Sequence, residues 1–337
     1  MRLLLGVIMV CLLPIMVWAE DTSSAIEIDS SCQPIAVDFN TIAEEKKSRL
    51  DNHFFVGHEG KKIRHIDYKT MPIFDESDPQ ENNRLYRLVN RLHMNTRSKV
   101  VRTQLLFREG DLLEINNIFE SERILRSRNY LTNAYIIPTV ICSDAVDLMV
   151  VTQDSWSLEP QFSLRKESEG TKSGFAIADG NIFGSGNSFT VGYEENSQRN
   201  LVHYEFKNPH VFNSQIATRL YYADTSDGKN TIVDISHPFY SLETPWGAGI
   251  YAEDYTQDDL IRFQDKQINS FVHQSVRDEI FYGLATEINS EFTRRWVFGF
   301  SQEDDIFLEN DETLQIIPEN RKASYPWVEL QYLENRY

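Results

Sequence analysis

The chain has 337 residues, with 33 lysines and arginines against 51 aspartates and glutamates, and a formal net charge of −18 at pH 7. So acidic a surface repels nucleic-acid phosphates, and no nucleic-acid partner is expected. Beyond residue 19 no stretch is long and apolar enough for a transmembrane helix, so entry into a membrane would have to use strands closed into a barrel.

The opening MRLLLGVIMVCLLPIMVWA pairs Arg2 with an apolar run from Leu3 to Val17 and ends in Val17-Trp18-Ala19. It reads as a signal peptide over residues 1–19, leaving Glu20 as the first mature residue. The alternative, a membrane anchor, needs roughly 20 apolar residues, and this run is shorter. Cys11 follows Val10 and not a small residue, which argues against a lipid anchor. Cys32 and Cys142 are then the thiols of an exported chain, and a disulfide between them is expected, with two buried free thiols as the alternative. Residues 20–56 read as a polar, acidic leader.

Residues 57–154 read as a small α+β domain. KKIRHIDYKTM is a strand with Ile63, Ile66 and Tyr68 as its apolar positions. After the turn-rich PIFDESDPQ, the segment ENNRLYRLVNRLHMN sets Leu85, Leu88, Val89 and Leu92 on one helical face and Arg84, Arg87 and Arg91 on the other. This inserted helix is expected to pack on the domain. Ser98 is the expected N-cap of a helix KVVRTQLLF, with Gly110 as the left-handed residue that ends it. LLEINNIFESERILRSR is a further helix with Ile115, Ile118, Phe119 and Leu125 inward and Arg126 and Arg128 at its negative end. NAYIIPTVIC and AVDLMVVTQD form a hairpin about Ser143-Asp144, and Pro138 marks the first of the two as an edge strand, because proline cannot donate to a ladder.

From Ser157 the period becomes two. Val202, Tyr204 and Phe206 alternate with His203, Glu205 and Lys207; Trp296, Phe298 and Phe300 alternate with Arg295, Val297 and Gly299. Strands are expected near 157–166, 172–179, 187–195, 200–207, 215–224, 230–237, 247–257, 270–287, 293–304 and 324–334. A β-sandwich also alternates. Strand lengths near those of tilted membrane strands, aromatics near strand ends such as Trp246, Tyr251, Tyr325 and Trp327, and acidic connections favour a transmembrane antiparallel β-barrel, partial at about ten strands.

The segments VVRTQLLFREGD, ESERILRSRNYL, VTQDSWSLEPQFSL, GFAIADGNIFGSGNSFTVGY and SHPFYSLETPWGAGIYAE resemble the outer-membrane assembly-factor superfamily, the BamA/TamA type also called bacterial surface antigens. The resemblance runs from about Gly57 to the end. It implies one periplasmic POTRA domain at 57–154, followed at 155–337 by the first part of an outer-membrane β-barrel. Residues 20–154 would then lie in the periplasm of a Gram-negative cell, with outer-membrane lipid and unfolded outer-membrane or secreted polypeptides as partners. Family barrels close sixteen strands and carry a VRGF-like tetrapeptide; this chain has no such tetrapeptide, and its end VELQYLENRY departs from the family's terminal strand, so the chain is expected to stop in mid-barrel. On the resemblance, the edge strand around Ala134, Tyr135, Ile136, Ile137 and Thr139 would capture clients by strand addition.

Enzymatic patterns are missing: there is no GxSxG, HExxH or CxxC, and no enzyme activity, cofactor or metal is expected. FGSGN at 183–187 lacks the lysine of a phosphate loop and reads as a tight turn; His203 and His273 read as strand histidines rather than ligands. The carboxylates Glu303, Asp304 and Asp305, and Asp254, Asp258 and Asp259, read as solvated charged loops, with a divalent-cation site at a lipopolysaccharide-facing loop as the alternative. Two functions remain open: insertion or translocation of polypeptides at the outer membrane, and a passive structural barrel or surface antigen without a client.

Overall fold

The computed structural model describes residues 32–35, 55–76, 78–167, 170–264, 266–288, 292–314 and 316–334. The signal-peptide reading, Glu20 and most of the polar leader lie outside the described residues. Two sheets divide the rest. The first contains β1 (Gln33–Pro34), β2 (Lys62–Met71), β3 (Leu131–Ile141) and β4 (Ala145–Asp154) in the order β1-β3-β4-β2, with β2 parallel to β4 and β3 antiparallel to it. Between β2 and β3 run α1 (Arg84–Leu92), α2 (Ser98–Thr103) and α3 (Ile115–Arg126).

Alternation along β2, β3 and β4 sends Ile63, Ile66, Ala134, Ile136, Val146, Leu148 and Val150 to one face, where Val101, Leu113, Ile118 and Leu125 close over them in a single dry core. On the opposite face Ile137 and Val151 pack with Met71 and Met149.

Two helices depart from expectation. Ser98 is the first residue of α2 rather than its cap; the cap is Arg97, without a side-chain bond, and the helix ends at Thr103. The reason is tertiary: Gln104 turns inward to donate to the Tyr130 hydroxyl, and Leu105 and Phe107 must leave the helical path to enter the core. Gly110 is left-handed (φ 98°), but in the loop that hydrogen-bonds back to Ile63, well past the helix. The larger correction is α1. Asn83 caps it by accepting from the Tyr86 N–H, yet none of its residues is buried; Leu85, Leu88 and Leu92 face solvent. What holds α1 is another face, where Tyr86 stacks on Phe74 at 3.9 Å and Asn90 bonds both backbone groups of Phe74.

The second sheet is a ten-stranded antiparallel meander: β5 (Leu158–Glu167), β6 (Gly170–Asp179), β7 (Ser188–Glu195), β8 (Asn200–Asn208), β9 (Ala217–Thr225), β10 (Gly228–His237), β11 (Trp246–Phe263), β12 (Lys266–Ile288), β13 (Phe292–Leu308) and β14 (Arg321–Glu334). All ten expected strands are present, and each pairs only with its neighbours in sequence, leaving β5 and β14 as the two edges among the described residues. β11 to β13 extend beyond expectation, to 18, 23 and 17 residues, because their hairpins continue pairing past the ends of β6 to β10.

Register turns the alternation into a belt. Trp296, Phe298 and Phe300 stand opposite Leu284, Tyr282 and Ile280 on one side, and Leu330, Val328 and Pro326 on the other. Ile280 continues to Ile250 and Ile235, and two strands further along Tyr204 meets Val191 and Tyr222. Most of this belt is exposed.

Candidate client-binding edge and its junction with the large sheet

The expected client site, Ala134 to Thr139, lies on β3, where its environment is more closed than an open edge. β1 pairs Gln33 with Ile141 and Pro34 with Val140, and the Ile35 N–H donates to the Thr139 carbonyl at 2.8 Å. β3 is therefore not the bare border of its sheet, which corrects that expectation. Nearer the middle, two side chains of α3 reach across: the Ile136 N–H donates to Glu122 Oε1 at 2.7 Å, and Arg126 donates to the Ala134 carbonyl at 3.0 Å. Glu122 and Arg126 also pair with each other at 3.2 Å. One turn of helix spaces them to meet alternate backbone groups of the strand. Ile136 and Ala134 are buried in the main core and Ile137 in the smaller one, so Ile137 cannot meet a client while the domain is folded; Tyr135 is half-buried, and burial pushes its phenol up. Sequence reading passed over Glu122 and gave Arg126 only a helix-dipole role, although an acid and a base four apart on a helix before an edge strand are the available signal.

Cys32 and Cys142 are joined by a disulfide, which fixes β1 against the end of β3.

Beyond β4 the domain meets the large sheet through polar contacts. Buried Asp154 accepts from the Thr96 N–H at 2.6 Å and faces His93 Nε2 at 2.8 Å. Asn181 donates to Thr96 Oγ1 at 2.8 Å and accepts from the Gly186 N–H at 2.7 Å, and the Arg97 N–H donates to the Gly184 carbonyl. FGSGN is thus a tight turn, in which a Cβ on Gly184 (φ 66°) would collide with the Asn95 carbonyl. The next turn on the same side repeats the geometry: Phe183 and Phe212 both have φ 52°, and both turns close on a serine hydroxyl that donates at 2.6 Å, to the Ile182 and Val211 carbonyls. Here Gln215 donates to the Thr103 carbonyl, and His210 sits by Arg128 with its pKa lowered to about 4, first by burial and then by the arginine's charge. Tyr130 lies just inside, its phenol pushed up by burial.

The face opposite the belt is polar and internally paired. Glu205 holds Lys207 and Arg219, each at 2.7 Å; Arg277 pairs with Glu279 at 3.2 Å and Glu303 at 3.7 Å; Trp327 donates to Ser301, which donates to Glu279. Asp305 and Asp304 are paired with Arg321 and Lys322, so these carboxylates are not merely solvated. His203 stacks on Tyr221, whereas His273 bridges Asp259 and Asp305 across three strands. At the end nearer the domain, the loop 238–245 folds onto this face: Arg295 donates to the Ser241 carbonyl at 2.7 Å and lies over the Phe239 ring at 4.4 Å.

Fold and site define a class: an α+β domain fastened by polar contacts to the first turns of an antiparallel meander that is apolar on one face and ion-paired on the other. No family model and no curated protein matches the chain. Among solved structures it is similar to BamA from Haemophilus ducreyi lacking POTRA domains 1-3, at 10% identity and a TM-score of 0.42, over 75% of this chain and 56% of that one. It is also similar to CdiB from Acinetobacter baumannii, at 10% identity and a TM-score of 0.38, over 88% of this chain and 76% of that one. The chain spans little more than half the length of the BamA structure.

Proposed function

We propose that the ten-stranded sheet is the first part of an outer-membrane β-barrel and that residues 57–154 form its periplasmic POTRA domain, acting in insertion or translocation of polypeptides. The observation that carries this reading is the belt: ten strands in register hold apolar side chains outward and ion pairs on the other face, an arrangement that costs free energy in water and is favoured in lipid. With α1 set aside as an insertion, the order β2-α2-α3-β3-β4, with β2 parallel to β4, supports the domain reading.

Clients would add to the outer edge of β3, replacing the hydrogen bonds from Arg126 to Ala134 and from Ile136 to Glu122 with backbone bonds of their own. A photo-crosslinker at Thr132 or Tyr135 is expected to trap unfolded barrel precursors, with higher yield in a Glu122→Ala variant. Equal trapping from Asn116 on the surface of α3 would remove the case for a specific edge. The passive-barrel reading draws on the same two side chains, since they already satisfy the edge; it predicts no trapping in either background.

A further inference from the structure

The most apolar solvent-facing helix face in the described chain is that of α1, and it has a specific arrangement. Helical spacing of about 100° per residue divides α1 into three sectors. Tyr86 and Asn90 hold it to Phe74; Leu85, Leu88 and Leu92 form a stripe 64%, 49% and 65% exposed; Arg84, Arg87 and Arg91 run along one side of that stripe. The stripe is free because the domain grips the helix elsewhere. None of the three arginines makes an ion pair among the described residues, in a chain whose net charge is −18. α1 carries no acidic residue at all.

Position adds the second observation. Three residues after α1, Asn95 abuts Gly184, and Arg97 bonds that turn, so the helix ends at the level where β6 and β7 end. The two turns at this level project Phe183 and Phe212, 64% and 95% exposed, and Arg97 and Lys99 line a cavity of about 240 Å³ beside Phe212. A leucine stripe on a helix that leads into turns projecting phenylalanines, with arginines that have no ion-pair partner among the described residues beside it (the Arg87 guanidinium donates only to the neutral Asn82 amide), matches the boundary between acyl chains and anionic headgroups.

We propose that α1 is an interfacial anchor: its leucine face lies in the periplasmic leaflet and Arg84, Arg87 and Arg91 bind anionic phospholipid headgroups, fixing the tilt of the domain beneath the barrel. This rests on the membrane reading of the large sheet. The test reconstitutes the full chain into bilayers containing either phosphatidylglycerol or phosphatidylcholine with a photoactivatable acyl tail, and maps labelled peptides by mass spectrometry. Labelling is expected on the belt around Trp296 to Phe300 with both probes, and on residues 84–95 with strong preference for phosphatidylglycerol. Replacing the arginines by glutamine should lower that preference by up to about fivefold apiece, and Leu85→Ser with Leu88→Ser and Leu92→Ser should abolish helix labelling while belt labelling stays. A labelled belt with an unlabelled helix, or equal labelling of the helix by both probes, overturns the anchor; an unlabelled belt overturns the membrane reading itself.

Discussion

The two sheets of this chain solve the same problem in opposite ways. In the four-stranded sheet, apolar residues converge on helices and leave water: Ile63, Leu113, Ile118, Leu125, Ile136 and Leu148 are all essentially inaccessible. In the ten-stranded sheet most of the large apolar residues face out, and the other face is mainly a lattice of ion pairs and hydrogen bonds. Alternation is the same in both. What differs is the partner of the apolar face, protein in one case and, on the function proposed here, lipid in the other, so the two sheets should respond differently to the same kind of substitution.

The largest expected effect concerns what closes the small sheet. The bond between Cys32 and Cys142 spans 110 residues, for which chain entropy implies about 4–5 kcal/mol of stabilisation. Thiol labelling under denaturing, non-reducing conditions should find both cysteines blocked, and reduction should lower the denaturation midpoint of the domain while leaving the large sheet unaffected. Next, Leu148→Ala, which empties a site between β2 and β3, should cost about 3 kcal/mol in chemical denaturation. The same truncation at exposed Leu330 should cost far less; equal costs would mean that the belt is packed against protein after all.

Charge reverses the ranking within the large sheet. Phe298→Arg should destabilise the bilayer-embedded chain by about 2–4 kcal/mol, whereas Gln302→Arg, beside the carboxylate-rich end of β13, should be tolerated; urea unfolding in lipid vesicles compares the two. The smallest effect is at the junction. His210 is held neutral, with its pKa lowered from 6.5 to about 4, so its contribution is complete above pH 6.5 and is lost as pH falls towards 4, where the unfolded state binds the proton first. That loss is at most about 3 kcal/mol, and hydrogen exchange of residues 208–216 should rise over that window. Protection that does not change would mean the imidazole can take up its proton without leaving Arg128.

Much of this was legible in the residues themselves. Period-two alternation determined ten strands and their outward face, since a strand has two sides and side chains at consecutive positions cannot share one. Composition determined that no helix past the leader could cross a bilayer. The core of the small domain, and the contrast between the leucine and arginine faces of α1, could also be read from spacing. Contacts made across the chain could not. The 84–92 segment states that a helix has an apolar face but not where that face goes; only the stack of Tyr86 on Phe74 turns the leucines outward. Pro138 marks an edge, but that β1, Glu122 and Arg126 already occupy parts of it depends on residues 8 to 108 positions away meeting in space. His273 reads as a lone histidine until strand register brings Asp259 and Asp305 to its two nitrogens. Local pattern decides which way a side chain faces; which group it then finds depends on register and docking, and these are properties of the folded chain.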